Sequence, residues 1–442
     1  MKQLLFSERV LIDDRLVPAG VLIVGQLIKA IIPSAEIDIQ EVTHNYGNCV
    51  IMPSLIDAHL HVNEPGRTDW EGFETATKSA VAGGITAIAD MPLNSSPVTT
   101  SAAALEEKKK SGTGKLFVDC TCYGGLVPGN ADNIEPLLKS GMRGIKTFLC
   151  HSGIDEFPNT TEEELRKAMP VIAKYGIPLL VHAELTDDVQ RFDKEKPGDY
   201  KNYAQSRPQE WEVNAIKLIL DLCREYRCPV HIVHLAASDA LPLIESAKND
   251  GFPVTVETAP HYLYFDDDTI PNADTRYKCA PPIRNAQNRN KLRNALKSGI
   301  IDFVATDHSP APPDMKELDS GDLGKAWGGI SSHQLLLPAL WTSMKNSGAK
   351  IADISKWTSQ KPAQFLEIDS KTGKFKEGYE ANITVWSPEE SFVVDEQKLH
   401  HKHKITPYDG ETLYGKVKAT WLRGEQVFSD GDIFSAPKGR WY

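Results

Sequence analysis

Long hydrophobic runs are missing from this sequence. Nowhere in its 442 residues do the roughly 20 uninterrupted apolar residues of a bilayer-spanning helix occur, so no membrane span is expected. The opening MKQLLFSERVLIDDR interrupts its apolar residues with charge too early for a secretory leader, and a cytoplasmic location is the expectation. Basic excess is missing as well. Against 60 Asp and Glu stand 49 Lys and Arg, a net charge of -11, which offers polyanions no general field; nucleic acid is not an expected partner. The one tight basic run, residues 108–110, reads as a solvated helix turn. Cysteine is sparse and odd in number: Cys49, Cys120, Cys122, Cys150, Cys223, Cys228 and Cys279 include no CxxC pair. That excludes a disulfide framework and leaves reduced core thiols. Internal repeats and low-complexity linkers are also lacking, and the first barrel-type strand is not followed by the Gly-rich phosphate turn of a doubly wound dinucleotide fold.

What remains is material for a large globular core, with 41% hydrophobic and 25% charged residues. The middle of the chain alternates apolar β-type runs with amphipathic helical segments. The runs cover residues 50–56, 85–91, 116–123, 143–149, 178–182, 229–234, 253–257 and 301–307, and helical periods fill 70–82, 162–175, 210–224, 237–249 and 288–297. Eight such strands over about 300 residues predict an α/β fold of the (β/α)8 TIM barrel type. Short β-type runs also occupy both ends, at 4–6, 10–12, 21–24 and 27–32 and again at 381–386, 392–394, 417–422 and 426–428. Neither end has enough apolar surface to stand alone. The expected organisation is therefore a composite β-sandwich from 1–50 plus 378–442 beside a barrel of 51–377.

Polar groups at the ends of apolar strands carry the chemistry. The first strand ends in Asp57-Ala58-His59-Leu60-His61, and a strand period of two turns both imidazoles to one face. Alone, such a pair reads equally well as partly exposed surface. The fourth run, however, carries Lys146, and His182, His234 and Asp307 end the fifth, sixth and eighth; in a barrel these strands open at one mouth. Four histidines and a carboxylate suit Zn²⁺ or a neighbouring divalent ion, and exceed what one tetrahedral centre uses, which points to two ions. Lys146 cannot ligate as an ammonium, but burial lowers a lysine pKa and frees the amine.

The segment from Asp57 to Gly66, the Lys146 strand, His182, His234 and Asp307 together resemble the cyclic amidohydrolases of the amidohydrolase superfamily, over essentially the whole chain. The resemblance implies that His59, His61 and Asp307 hold one ion and His182 and His234 a second. It further implies that Lys146, carboxylated by CO2, bridges the two ions as a carbamate; zinc is the expected metal, with manganese or cobalt as alternatives. His234 is chosen over His231 because it lies nearer the strand's carboxyl end, as in the family's His-x-x-His segment. Dihydroorotases of the family carry an arginine two residues after the second histidine, where this chain has Asn63. Hydantoinases and dihydropyrimidinases carry a tyrosine five residues after the lysine, where this chain has His151. The segments EPGRTDWEGF, DMPLNS, KTFLCHSG and AWGGI are most similar to the branch that opens allantoin.

The implied reaction is hydrolytic ring opening of allantoin to allantoate by a hydroxide held between two ions, with Asp307 moving the proton. Asn63, Asn94, His151 and Ser309 are the expected partners of the substrate amides, with main-chain groups near Cys279, Ala280 and Gly328 at the ring edge. Alternatives are another cyclic amide, opened as by a hydantoinase, dihydropyrimidinase or dihydroorotase, or a scaffold relative without catalysis. Relatives associate, so a homo-oligomer, dimer or tetramer, is expected. Asp57 is a candidate to orient a neighbouring imidazole. His400, His401 and His403 read as a solvated loop, and Trp70, Trp211, Trp327, Trp341, Trp357 and Trp386 as packing. His261 is a minor candidate for substrate contact.

Overall fold

The computed structural model describes residues 2–187, 189–434 and 436–442. Parallel strands run in chain order through Leu55–Leu60, Ile85–Asp90, Asp119–Cys122 with its continuation Gly124–Gly125, Ile145–Phe148, Leu179–His182, Val230–Ile232, Val254–Thr258 and Phe303–Val304. The last returns to the first: Leu60 bridges His308, His61 N donates to His308 O at 2.8 Å, and Asp307 N to His59 O at 2.9 Å. This is a closed (β/α)8 barrel. Every first-strand residue is buried, as expected where helices cover the outside and side chains fill the inside.

The helices start and stop on local signals. Thr161 and Glu164 form a capping box before Glu162–Tyr175, and Gly176, at φ 65°, ends it. Asn285 caps Ala286–Ser298 by accepting from Asn288 N at 2.9 Å. Ala102–Ser111 carries the basic run, but Lys108 is not solvated. Its ammonium is buried against the Asp90 carboxylate and donates to Met91 O at 3.1 Å. Helical spacing and a lysine cluster do not reveal that one of the three turns inward to a strand-end acid.

Both chain ends build one nine-stranded sheet, ordered Asp432–Ile433, Glu425–Ser429, Thr412–Leu422, Ile383–Val393, Val50–Pro53, Lys2–Ile12, Arg15–Val24 and Leu27–Pro33, with His44–Asn45 pairing beside Lys2–Ile12. The sheet curls until its Leu27–Pro33 edge meets the segment that leads into Ile383–Val393, since Gly378 N donates to Ile28 O and Ala381 N to Gln26 O, each at 2.9 Å. Leu5, Val21, Ile23, Ile51, Ile383, Val385 and Trp421 fill the interior of this sandwich. The apolar run 50–56 is thus shared: Val50–Pro53 pairs with Ile383–Val393 in the sandwich, and Leu55–Leu60 begins the barrel. No described helix is long and apolar enough to cross a membrane.

Candidate metal and substrate site

The carboxyl ends of the barrel strands surround a cavity of about 670 Å³. His59, His61, Lys146, His182, His234 and Asp307 all line it. Period two in the first strand delivers both His59 and His61. Asp307 reaches them from the closing strand: its Oδ1 lies 3.3 Å from Nε2 of each ring. The ligand atoms of these three residues lie within 4.8 Å of one another. Opposite, His182 Nδ1 meets His234 Nε2 at 3.0 Å.

Lys146 Nζ is buried without a hydrogen-bond partner, 4.8 Å from the centre of the Phe148 ring. Burial pulls its pKa down to about 7, against the opposing pull of Asp307 and Glu257. Asp307 goes the other way: burial raises a carboxyl, but His59, His61 and His234 hold it well below the usual range.

Proton positions on the rings follow from their outer partners. Glu257, at the end of the seventh strand, accepts from His59 Nδ1 and, at 3.1 Å, from His231 Nε2. Burial alone would raise its pKa, yet the two imidazoles bring it to about 2. His59 Nε2 is then left as a lone pair facing a carboxylate oxygen. Two acceptors with no proton between them form a natural place for a cation. His182 repeats the pattern, donating from Nε2 to Glu184 Oε2 at 2.8 Å, while Arg207 grips Glu184 at 3.1 Å and 2.5 Å. The ring also stacks on Phe148, 4.4 Å between centroids. The donor set, the orphaned lysine and the outer carboxylates fit divalent cations.

The imidazole that Asp57 faces is that of His333, not a ring of the cavity. Asp57 accepts from the His59 and Thr306 backbone N–H groups at 3.3 Å and 3.0 Å and lies 3.4 Å from His333 Nε2. Its alternation along the strand puts it on the His59 side, but its carboxylate ties the seam of the barrel. Glu257, the actual partner of His59, and Glu184 occur in the sequence at strand ends, which was the available signal. Arg207 offers no such signal.

Asn94, His151, Cys279, Ala280, Ser309 and Gly328 line the cavity. Asn94 is buried with its Oδ1 unpartnered, and its Nδ2 lies 3.4 Å from His61 Nδ1. His151 is mostly exposed, with Gly153 N donating to its Nδ1 at 3.1 Å. Asn63 is elsewhere: fully buried and outside the lining, it donates to Pro310 O at 3.4 Å. His231 is buried between Thr255 and Glu257, and His261 is buried outside the lining. Trp211 and Trp327 face the cavity, which a packing role does not anticipate. Asn63, Asn94, His234 and Asp307 all hold left-handed backbone, at φ 66°, 65°, 37° and 47°. Strain of about 1–3 kcal/mol at such positions survives only where the surroundings enforce it, and it gathers at functional sites.

A family model described as the Amidohydrolase family matches residues 50–427. The chain belongs to that family. Among curated relatives, this amidohydrolase is 42% identical to an allantoinase of Streptomyces avermitilis, over 98% of this chain and 97% of the other. It is also 42% identical to an allantoinase of Arabidopsis thaliana, over 96% and 88%, and 39% identical to one of Saccharomyces cerevisiae, over 90% and 86%. Among solved structures, the L-hydantoinase (dihydropyrimidinase) of Arthrobacter aurescens superposes with a TM-score of 0.91 at 28% identity, over 100% of this chain and 99% of that one. A dihydropyrimidinase from Brevibacillus agri NCHU1002 superposes with a TM-score of 0.90 at 26% identity, over 100% and 98%.

Proposed function

We propose that this amidohydrolase opens the ring of allantoin by hydrolysis, giving allantoate. The observation that supports it most is the convergence of His59, His61, Asp307, His182, His234 and an unpartnered Lys146 on one cavity, in a chain 42% identical to allantoinases along nearly its whole length. His59, His61 and Asp307 would hold one divalent ion, zinc in the first instance, and His182 and His234 a second. Such ions, when bound, make water acidic enough to attack near neutral pH and polarise a carbonyl.

The remaining steps belong to the chain. With its pKa near 7, Lys146 has a free amine whose nitrogen adds to CO2 and loses a proton. The resulting carbamate carries two oxygens and a negative charge with which to bridge two cations. Asp307 accepts a proton from the attacking water at a carboxylate oxygen and returns it to the ring nitrogen as the C–N bond breaks. His151 stands at the cavity rim as a donor to the carbonyl oxygen on which charge develops. Asn94 and Ser309, which line the cavity, would meet the amide groups of a neutral ring, with the ureido arm toward the open side. We expect the protein to associate as a homo-oligomer in the cytoplasm.

A panel of allantoin, hydantoin, dihydrouracil and dihydroorotate, run against purified protein with its metal content measured, tests the reading. Allantoin should give the highest kcat/KM, with about two divalent ions per chain. A higher kcat/KM on hydantoin or dihydrouracil would overturn the substrate, and a metal-free active enzyme would overturn the chemistry.

A further inference from the structure

One wall of the cavity is the run 324–329, and its carbonyl groups are turned onto two lysines. Lys278 Nζ donates to Ala326 O. Lys316 Nζ donates to Trp327 O at 3.0 Å and to Gly329 O at 2.9 Å. Lys316 is 3% exposed and is not among the residues lining the cavity, so it stands behind the wall. Its hydrogen-bond partners among the described residues are these two neutral carbonyls. An apolar side chain of equal length would fill that space but leave both carbonyls without this donor, so the amine serves the carbonyls and not the packing.

The geometry of the peptide unit supplies an account. In a trans peptide the carbonyl of one residue and the N–H of the next point in opposite directions across a single plane. With Trp327 O held by Lys316 behind the wall, the Gly328 N–H is turned away from Lys316, to the side where Gly328 lines the cavity. The next unit is pinned as well, because Gly329 N donates to Lys278 O at 2.8 Å. Beyond it, a Cβ on Gly329 would lie 2.3 Å from Ser309 O, whereas one on Gly328 would meet nothing nearer than Ala280 N at 4.0 Å. The wall is wedged tightly at Gly329 and open in front of Gly328. Gly328 N has no hydrogen-bond acceptor among the described residues.

We propose that Lys316 is a positioning residue for substrate recognition: by holding the Trp327 and Gly329 carbonyls behind the wall, it aims the Gly328 N–H into the cavity as a fixed donor to a ring carbonyl that does not react. This rests on the reading that a cyclic amide occupies the cavity. A contact kept equally in the bound substrate and in the transition state raises affinity without changing the chemical step.

The test is Lys316→Met, which fills the same space and cannot donate. KM for allantoin should rise about tenfold, one hydrogen bond's worth, with kcat and metal content held within about twofold. Lys316→Arg, which keeps donors at similar reach, should recover most of the loss. If the Met variant does not fold, Lys316→Gln carries the same expectation with a smaller rise. An unchanged KM in a folded variant, or a fall in kcat alone, overturns the role of Lys316. If the wild-type protein opens hydantoin or dihydrouracil and not allantoin, the substrate reading fails separately, and the same KM comparison on that ring decides the inference.

Discussion

A carboxylate that accepts from two imidazoles fixes which nitrogen of each ring carries the proton, and Glu257 does this for His59 and His231. Replacing it with glutamine removes the charge that holds His59 in the tautomer with Nε2 free. Glu257→Gln should weaken metal binding about 10–100-fold while leaving the circular dichroism unchanged. Competition with a chelator measures this, and an unchanged affinity would show that the ring needs no such partner. Lys316 yields a different kind of expectation. Burial lowers its pKa from an ordinary 10.5 to about 7, so between those values the unfolded chain binds more protons than the folded one. The contribution of Lys316 to stability therefore rises with pH across that window and levels off below it. In Lys316→Met the slope of unfolding free energy against pH from about 7 to 10.5 should be shallower than in the parent, and equal slopes would refute the depressed pKa. At this scale the sequence is readable only where partners are near each other or share a strand face. His59 and His61 show their pairing by period two. His59 and Glu257, 198 residues apart, do not, nor does the left-handed turn at His234.

Helices with complete local signals were legible to the residue, as in Glu162–Tyr175, where the capping box and Gly176 act within one turn of each end. Strands with weak signals were not. The apolar run 301–307 contains only Phe303–Val304 as strand, because the residues beyond it leave the ladder to carry Asp307 to the cavity. The run 50–56 conceals a change of sheet at Ser54, which no local pattern marks. Least legible is the segment 399–404. His401 is buried, lies tilted at 46° against the His308 ring with 4.8 Å between centroids, and accepts from Gln334 N at 3.3 Å, while Lys402 N donates to Glu71. A histidine-rich run looks solvated until the loops it straps are known. The C-terminal segment is held in the same long-range manner. Arg423 pairs with the buried Asp119 carboxylate on the third barrel strand, which also accepts from Arg440 N at 3.0 Å. Asp119→Ala would leave Arg423 buried and unpaired, and chemical denaturation should register a loss of about 3–5 kcal/mol. A loss below about 1 kcal/mol would mean that water replaces the acid.

The molecule as a whole is closed twice, once where the eighth barrel strand returns to the first and once where the two chain ends join in a sheet. The first closure runs through His59, His61, Asp307 and His308, so ions bound there would tie the seam across which the barrel is stitched. Removing them with a chelator should speed amide hydrogen exchange in residues 57–62 and 305–309 before it does so in the sandwich, as mass spectrometry can follow. Uniform acceleration would mean that the seam holds without the ions. The second closure bears on how the protein is made. Val50–Pro53 lies between Lys2–Ile12 and Ile383–Val393, and Arg440 O and Tyr442 N bracket Cys120 on the third barrel strand. A growing polypeptide folds from its amino end as it leaves the ribosome, and here the first strands pair among themselves while Val50–Pro53 must wait more than 300 residues for Ile383–Val393. Until residues 383–393 have been made, the Val50–Pro53 edge has no strand to pair with, and a chain stopped before them would leave that edge open to other strands.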